Sequence, residues 1–76
     1  PQDRMIAEDK FNLVKQIVDG LPEKQRSCMQ LRDFEGKTYK EIAEILEITE
    51  EQVKINIFRA RQTVKQRYLK LDNYGL

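Results

Sequence analysis

Lys54, Asn56, Arg59, Arg61, Gln62 and Lys65, with Ile55 and Phe58 among them, fall on the outward side of one helix-periodic segment. Its inward side is Val53, Ile57, Ala60, Val64 and Leu71, at steps of four, three, four and seven residues, with Tyr68 close to the same stripe. What the outward set can do is bind a polyanion. Lysine and arginine neutralise phosphates and release counterions, arginine can also take O6 and N7 of guanine together, and exposed Ile55 and Phe58 could touch thymine methyls or sugar carbons. Catalysis is not expected, because no nucleophile sits with a base, no carboxylate pair has a pocket and no phosphate loop is visible. A single cysteine, Cys28, and the absence of histidine rule out an internal disulfide and a zinc site, and no cofactor is expected. Cys28 is followed by Met29 and Leu31 on a helical pattern, which reads as a buried structural thiol.

The formal net charge is only +1, but it is unevenly divided. Residues 1–50 hold eight Lys/Arg against eleven Asp/Glu, and residues 51–76 hold six Lys/Arg against Glu51 and Asp72, so the balance runs from −3 to +4. That asymmetry fits a last helix that approaches phosphates while the acidic remainder faces solvent or a protein partner.

The elements that must position these side chains announce themselves by their starts. Thr38 is followed three residues later by Glu41, and Thr49 three later by Gln52, and both pairs read as capping boxes. Two helices therefore begin eleven residues apart. Tyr39, Ile42, Ala43 and Leu46 give the first of them about two turns before Glu47 and Ile48 carry the chain across. A short helix, a tight turn and a longer helix are the parts of a helix-turn-helix. Ala43 is small where the second helix must come close, Ile48 can plug the gap beneath the turn, and Val53 faces back, so Ala43, Ile48, Val53 and Ile57 are expected to be buried together. An ordinary αα-hairpin in a helical bundle is the alternative. Glu47 stands where the turn wants positive φ, at a cost of roughly 1 kcal/mol relative to glycine.

Upstream, a first helix is expected over about Arg4 to Asp19, with Ile6, Leu13, Val14, Ile17 and Val18 as its apolar stripe, widened by Met5 and Phe11 and ended by Gly20. Leu21 and Pro22 open a second helix, with proline in the first turn and Glu23 at the positive end of the dipole. Gly36 is its natural stop, just after Phe34 and Glu35. The tail from Asp72 to Leu76 is expected to fray. Seventy-six residues make one domain, 1–76, too small for a buried catalytic cleft. The chain starts without methionine and so reads as a fragment of something longer. No apolar stretch approaches the roughly 20 residues of a membrane span and no secretory signal is visible, so a cytoplasmic location is expected.

The string LPEKQRSCMQLRDFEGKTYKEIAEILEITEEQVKINIFRARQTVKQRY, from Leu21 to about Leu69, resembles the C-terminal region-four domain of bacterial sigma factors of the extracytoplasmic-function (ECF) branch. Its most specific pieces are Leu21-Pro22 with Arg26, Leu31-Arg32, Glu35-Gly36, Tyr39-x-x-Ile42-Ala43, and Val53-Lys54 followed by Phe58-Arg59-Ala60-Arg61. The resemblance implies an all-α, compact four-helix domain with a C-terminal helix-turn-helix, of the winged-helix-like DNA-binding kind. It also implies that the domain reads the −35 element of double-stranded promoter DNA while other faces dock on core RNA polymerase. Carried over, it puts Lys54, Ile55, Asn56 and Arg59 at groove-facing positions and Arg32, Lys37, Tyr39 and Lys40 near the DNA backbone. Ile55 and Asn56 depart from a commoner small-polar and arginine pair, which bears on the target sequence; asparagine can pair with adenine N6 and N7. Glu50 and Glu51, at the start of the same helix, stabilise its dipole, and a glutamate there can also accept from cytosine N4.

Two other readings share parts of the pattern. The output domain of a response regulator also has Glu41-Ile42-Ala43 and Val53-Lys54, although Phe58-Arg59-Ala60-Arg61 favours the sigma type. A helical module bound by an anti-sigma factor that covers the basic face is the third, and it can coexist with DNA binding.

Overall fold

The computed structural model describes the backbone of residues 2–74 and the side chains of residues 9–71. It contains α1 (Gln2–Asp19), α2 (Glu23–Met29), a π-helical turn (Gln30–Phe34) that continues α2, α3 (Tyr39–Leu46) and α4 (Glu50–Tyr74). No strand, and so no wing, occurs among the described residues. The all-α expectation holds, with the last two helices forming the helix-turn-helix.

Each junction has a local cause. After α1, the N–H groups of Gly20 and Leu21 close on the carbonyls of Ile17 and Val18, and Arg26 donates from α2 to the carbonyl of Asp19 at 3.3 Å. Pro22 is the residue just before α2 rather than a member of its first turn; its extended backbone (φ −53°, ψ 147°) sets the entry angle, and its carbonyl accepts from Arg26 N. Gly36, at φ 72°, ends the second helical run. The π-helical turn before it was not expected: Glu35 N–H reaches back five residues to Gln30 O, and Lys37 N–H reaches six to Leu31 O.

Both capping boxes are present. Glu41 N–H donates to Thr38 Oγ1 at 3.1 Å while Glu41 Oε1 accepts from Thr38 N–H at 2.9 Å, and Gln52 and Thr49 repeat the exchange at 3.1 and 2.9 Å. Between them the chain turns through Glu47 in the left-handed region, φ 57° and ψ 46°. The N–H groups of Glu47 and Ile48 both close on Ala43 O, so that carbonyl near the end of α3 is satisfied within the turn.

The core has two parts. Ile17, Val18, Leu21, Met29, Ala60 and Val64 form one cluster, with Leu13, Val14 and Tyr68 against it. Cys28, Ile42, Val53 and Ile57 form the other, bordered by Leu31, Tyr39, Ala43, Leu46 and Ile48. Helix α4 contributes to both, and the adjacent Cys28 and Met29 of α2 divide between them. Burying side chains such as Ile42 and Ile57 contributes about 1.5–3 kcal/mol each. Cys28 lies inside the second cluster, where loss of hydration raises its thiol pKa.

Four further details differ from expectation. Ala43 and Ile48 are half-buried at the border of the second cluster, packed against Val53 and Ile57 inside it rather than buried with them. Phe11 is 54% exposed and does not widen the α1 stripe. Leu71 is 46% exposed despite its place on the α4 period, since α4 has by then outrun the first cluster. Helix α4 also continues through Asp72 to Tyr74, where fraying was expected. Met5 and Ile6, assigned to the α1 stripe, and the last two residues of the tail lie outside the residues whose side chains are described.

Ala43→Leu is expected to destabilise by about 1–3 kcal/mol by overpacking against α4, measured in urea melts. In the turn, Glu47→Gly should exceed Glu47→Ala in stability by about 1 kcal/mol, since both remove the same charge and only glycine adopts positive φ freely. The backbone and hydroxyl bonds from Thr38 hold the Glu41 carboxyl below the usual carboxylate range. A folded pKa depressed in this way contributes stability above the unfolded pKa, and that stability disappears as pH falls through the folded value. The acid limb of the urea midpoint against pH should therefore be shallower in Glu41→Gln than in the parent.

Candidate nucleic-acid interface

Helix α4 presents its first turns to solvent because its inward residues are held from behind by the second cluster. Val53 and Ile57 are buried there, and on the opposite side Glu50, Glu51, Lys54, Ile55, Phe58 and Arg59 are all exposed. The apolar members are conspicuous: Ile55 is 48% and Phe58 62% exposed. One continuous face thus carries two carboxylates at the helix start, then a lysine, two apolar side chains and an arginine.

Asn56 lies toward the flank of that face. It is half-buried, and its Nδ2 donates to the carbonyl of Gln52 at 2.8 Å. An amide nitrogen carries two protons, so one donor and the oxygen remain for another partner. Arg59 is exposed and has no carboxylate partner among the described residues.

A second set gathers at the start of α3. Arg32, on the π-helical turn, donates from Nη1 to the carbonyl of Lys37 at 2.9 Å and lies 5.0 Å from the centre of the Tyr39 ring. The ammonium of Lys54 approaches the same ring at 5.8 Å. Tyr39 itself is half-buried against the second cluster. Lys37 is half-buried and Lys40 exposed in the first turn of α3. Arg32, Lys37 and Tyr39 are therefore linked to one another and, through Lys54, to the α4 face, with Lys40 next to Tyr39 in the chain.

One contact in this region has no signal in the sequence. Arg61 makes a two-pronged pair with the Asp33 carboxylate, through Nε at 3.1 Å and through Nη2. The carboxylate raises the guanidinium pKa further above its usual value. The pair joins α4 to the π-helical turn across 28 residues of sequence. Half-exposed as it is, it contributes about 1 kcal/mol or less. A shallow groove beside it, lined by Tyr39, Lys54, Phe58, Arg61 and Lys65 among others, has cations along its wall. Among the described residues no group of three or more metal-ligating side chains is gathered, and no helix is long and apolar enough to cross a membrane.

Residues 11–67 match the family described as sigma-70, region 4. The chain is 34% identical over 64 residues to the ECF RNA polymerase sigma-E factor of Escherichia coli (strain K12), an alignment that covers 84% of this chain and 34% of that protein. The protein of the same name from Salmonella typhimurium (strain LT2) gives the same figures, and that of Haemophilus influenzae is 31% identical over 67 residues, covering 88% of this chain and 35% of its own length. The chain spans about a third of the length of these curated relatives. With a helix-turn-helix in place, and a family match running from α1 into the second half of α4, the chain belongs to the sigma-70 region 4 family.

Proposed function

We propose that this chain is a promoter-reading module: α4 enters the major groove of the −35 element, and the domain helps direct RNA polymerase to transcription initiation without catalysing a step itself. The observation that carries this reading is the solvent-facing first half of α4, held rigidly from behind by Val53 and Ile57. Family membership supports it, and it favours the sigma type over the output domain of a response regulator. Partners on this reading are double-stranded promoter DNA, core RNA polymerase and an anti-sigma factor, and the location is cytoplasmic. Residues 1–76 act as one DNA-binding unit with its core at 21–69.

Lys54, Ile55, Asn56 and Arg59 face bases in this proposal, with Arg59 suited to guanine O6 and N7 and Ile55 to a thymine methyl. Glu50 and Glu51 stand at the helix N-terminus, where they favour the dipole and can accept from cytosine N4. Arg32, Lys37, Tyr39 and Lys40 approach the sugar-phosphate backbone. The Asn56 bond to Gln52 O fixes the amide plane, which suits reading one adenine but leaves only one N–H to offer.

Arg59→Ala should lose about 1–3 kcal/mol of binding to the preferred duplex, without unfolding, if it takes a guanine in bidentate fashion. A selection from randomised duplex DNA, run on the parent, Arg59→Ala and Asn56→Ala, tests the face as a whole. Each variant should relax preference at one base pair. A parent that enriches no sequence would overturn the promoter-reading role, and an Asn56→Ala selection identical to the parent's would remove Asn56 from the reading set.

A further inference from the structure

Lys54, Phe58, Arg61 and Lys65 follow one another along α4 at steps of four, three and four residues, so at about 100° per residue they stand within about 60° of one another around the helix. All four line the shallow groove beside the exposed face. Three cations on one stripe form a track for a polyanion, yet the middle one is already engaged. Asp33, on the π-helical turn, takes Nε and Nη2 of Arg61 in a two-pronged pair, whereas no described carboxylate is ion-paired to Lys54 or Lys65. Two of the five guanidinium N–H groups are spent in this way and the charge is offset. A planar fork of this kind is also what arginine offers to a phosphate. The pair is within reach of solvent, with 50% of the Arg61 side chain and 27% of Asp33 exposed, and a pair so placed adds little to stability.

We infer that Asp33 is a charge mask of the DNA interface: it holds Arg61 back from the duplex, so that α4 meets the phosphates with one cation fewer than its sequence carries. This rests on the DNA-binding reading and adds to it a residue that limits affinity without reading a base. A change of partner is opposed from two directions. The phosphate must displace a carboxylate of similar geometry, and once displaced that carboxylate faces the polyanion uncompensated and repels it. Phosphate contacts carry no sequence information of their own, so the mask weakens binding to preferred and unrelated duplexes alike. The choice of sequence stays with the exposed residues on the other side of the helix.

Removing the mask should create a phosphate contact that the parent lacks. Each phosphate neutralised contributes about 0.9 to the slope of log affinity against log salt. Asp33→Asn should therefore steepen that slope by about 0.9 on the preferred and on an unrelated duplex, which is about 3.5-fold more affinity lost between about 50 and 200 mM salt. Replacing backbone phosphates one at a time by neutral methylphosphonates should reveal one new sensitive position in Asp33→Asn, absent from the parent and from Asp33→Asn combined with Arg61→Gln. A steeper slope with no new position would be an effect of net charge alone and would overturn the mask. In the parent, Arg61→Gln should abolish the penalty at no position, a test that needs no change at Asp33; loss of one there would mean that Arg61 already holds a phosphate, and the mask would fall. Urea midpoints read in parallel show that each variant is folded. Unchanged slopes and positions with a lowered midpoint would make the pair a structural brace only. Selection from randomised duplex DNA should return the same sequence for Asp33→Asn as for the parent, and an altered base preference would move Arg61 into the reading set and refute the mask. A parent that binds but enriches no sequence would overturn the promoter-reading role while the methylphosphonate positions still decide the mask, and a parent that binds no duplex at low salt would overturn both.

Discussion

Helix α4 lies against both halves of the core, and the geometry of the rest of the domain follows from that. Val53 and Ile57 belong to one cluster, Ala60 and Val64 to the other. A helix of 25 residues is about 37 Å long, close to the 41 Å longest dimension of the domain. Any tilt of its exposed end must therefore disturb packing along most of its length. Interiors are close-packed and resist small displacements, so the first turns of α4 can be solvent-exposed and still be held in one direction. A recognition helix anchored only at its own base would have no such lever.

The turn before α4 meets a second demand, which is to link the two helices through only three residues, Glu47, Ile48 and Thr49. Ala43 O receives two N–H groups, Thr49 and Gln52 satisfy each other, and Glu47 takes the left-handed backbone conformation that makes this possible. The strain at Glu47 is offset by tertiary contacts, since Ile48, the next residue, packs on the second cluster. Local cost and non-local gain are thus placed one residue apart.

How much of this was legible in the sequence depended on whether the cause was local. Capping boxes involve residues three apart, so Thr38, Glu41, Thr49 and Gln52 were readable outright, as were the stop at Gly36 and the positive φ at Glu47. The period of α4 correctly named Val53, Ile57, Ala60 and Val64, then failed at Leu71, because periodicity says which side a residue faces and not whether anything stands opposite. Phe11 failed for the same reason. The convergence of Arg32 and Lys54 on Tyr39, and of Arg61 on Asp33, could not be read at all: both depend on how α2 and α4 cross. The groove-facing set, by contrast, came from resemblance to a family, with the helical period only naming what lies outside.

The π-helical turn has a consequence for how this chain tolerates length changes. An α-helix advances each residue by about 100° around its axis, and a π turn amounts to one residue more than the α-helical register would hold. In Gln30–Phe34 that surplus falls between Met29, which packs inward on the first cluster, and the pair Arg32 and Asp33, which reach α3 and α4. Delete a single residue here and the segment could relax into ordinary helix while keeping its apolar side, but neighbouring side chains would swing by about 100° and both long-range partners would be missed. The backbone irregularity therefore works as a phase adjuster: it lets one helical run answer to the core at its beginning and to the outer surface of the domain at its end, two directions that no uninterrupted 3.6-residue period could serve at this spacing.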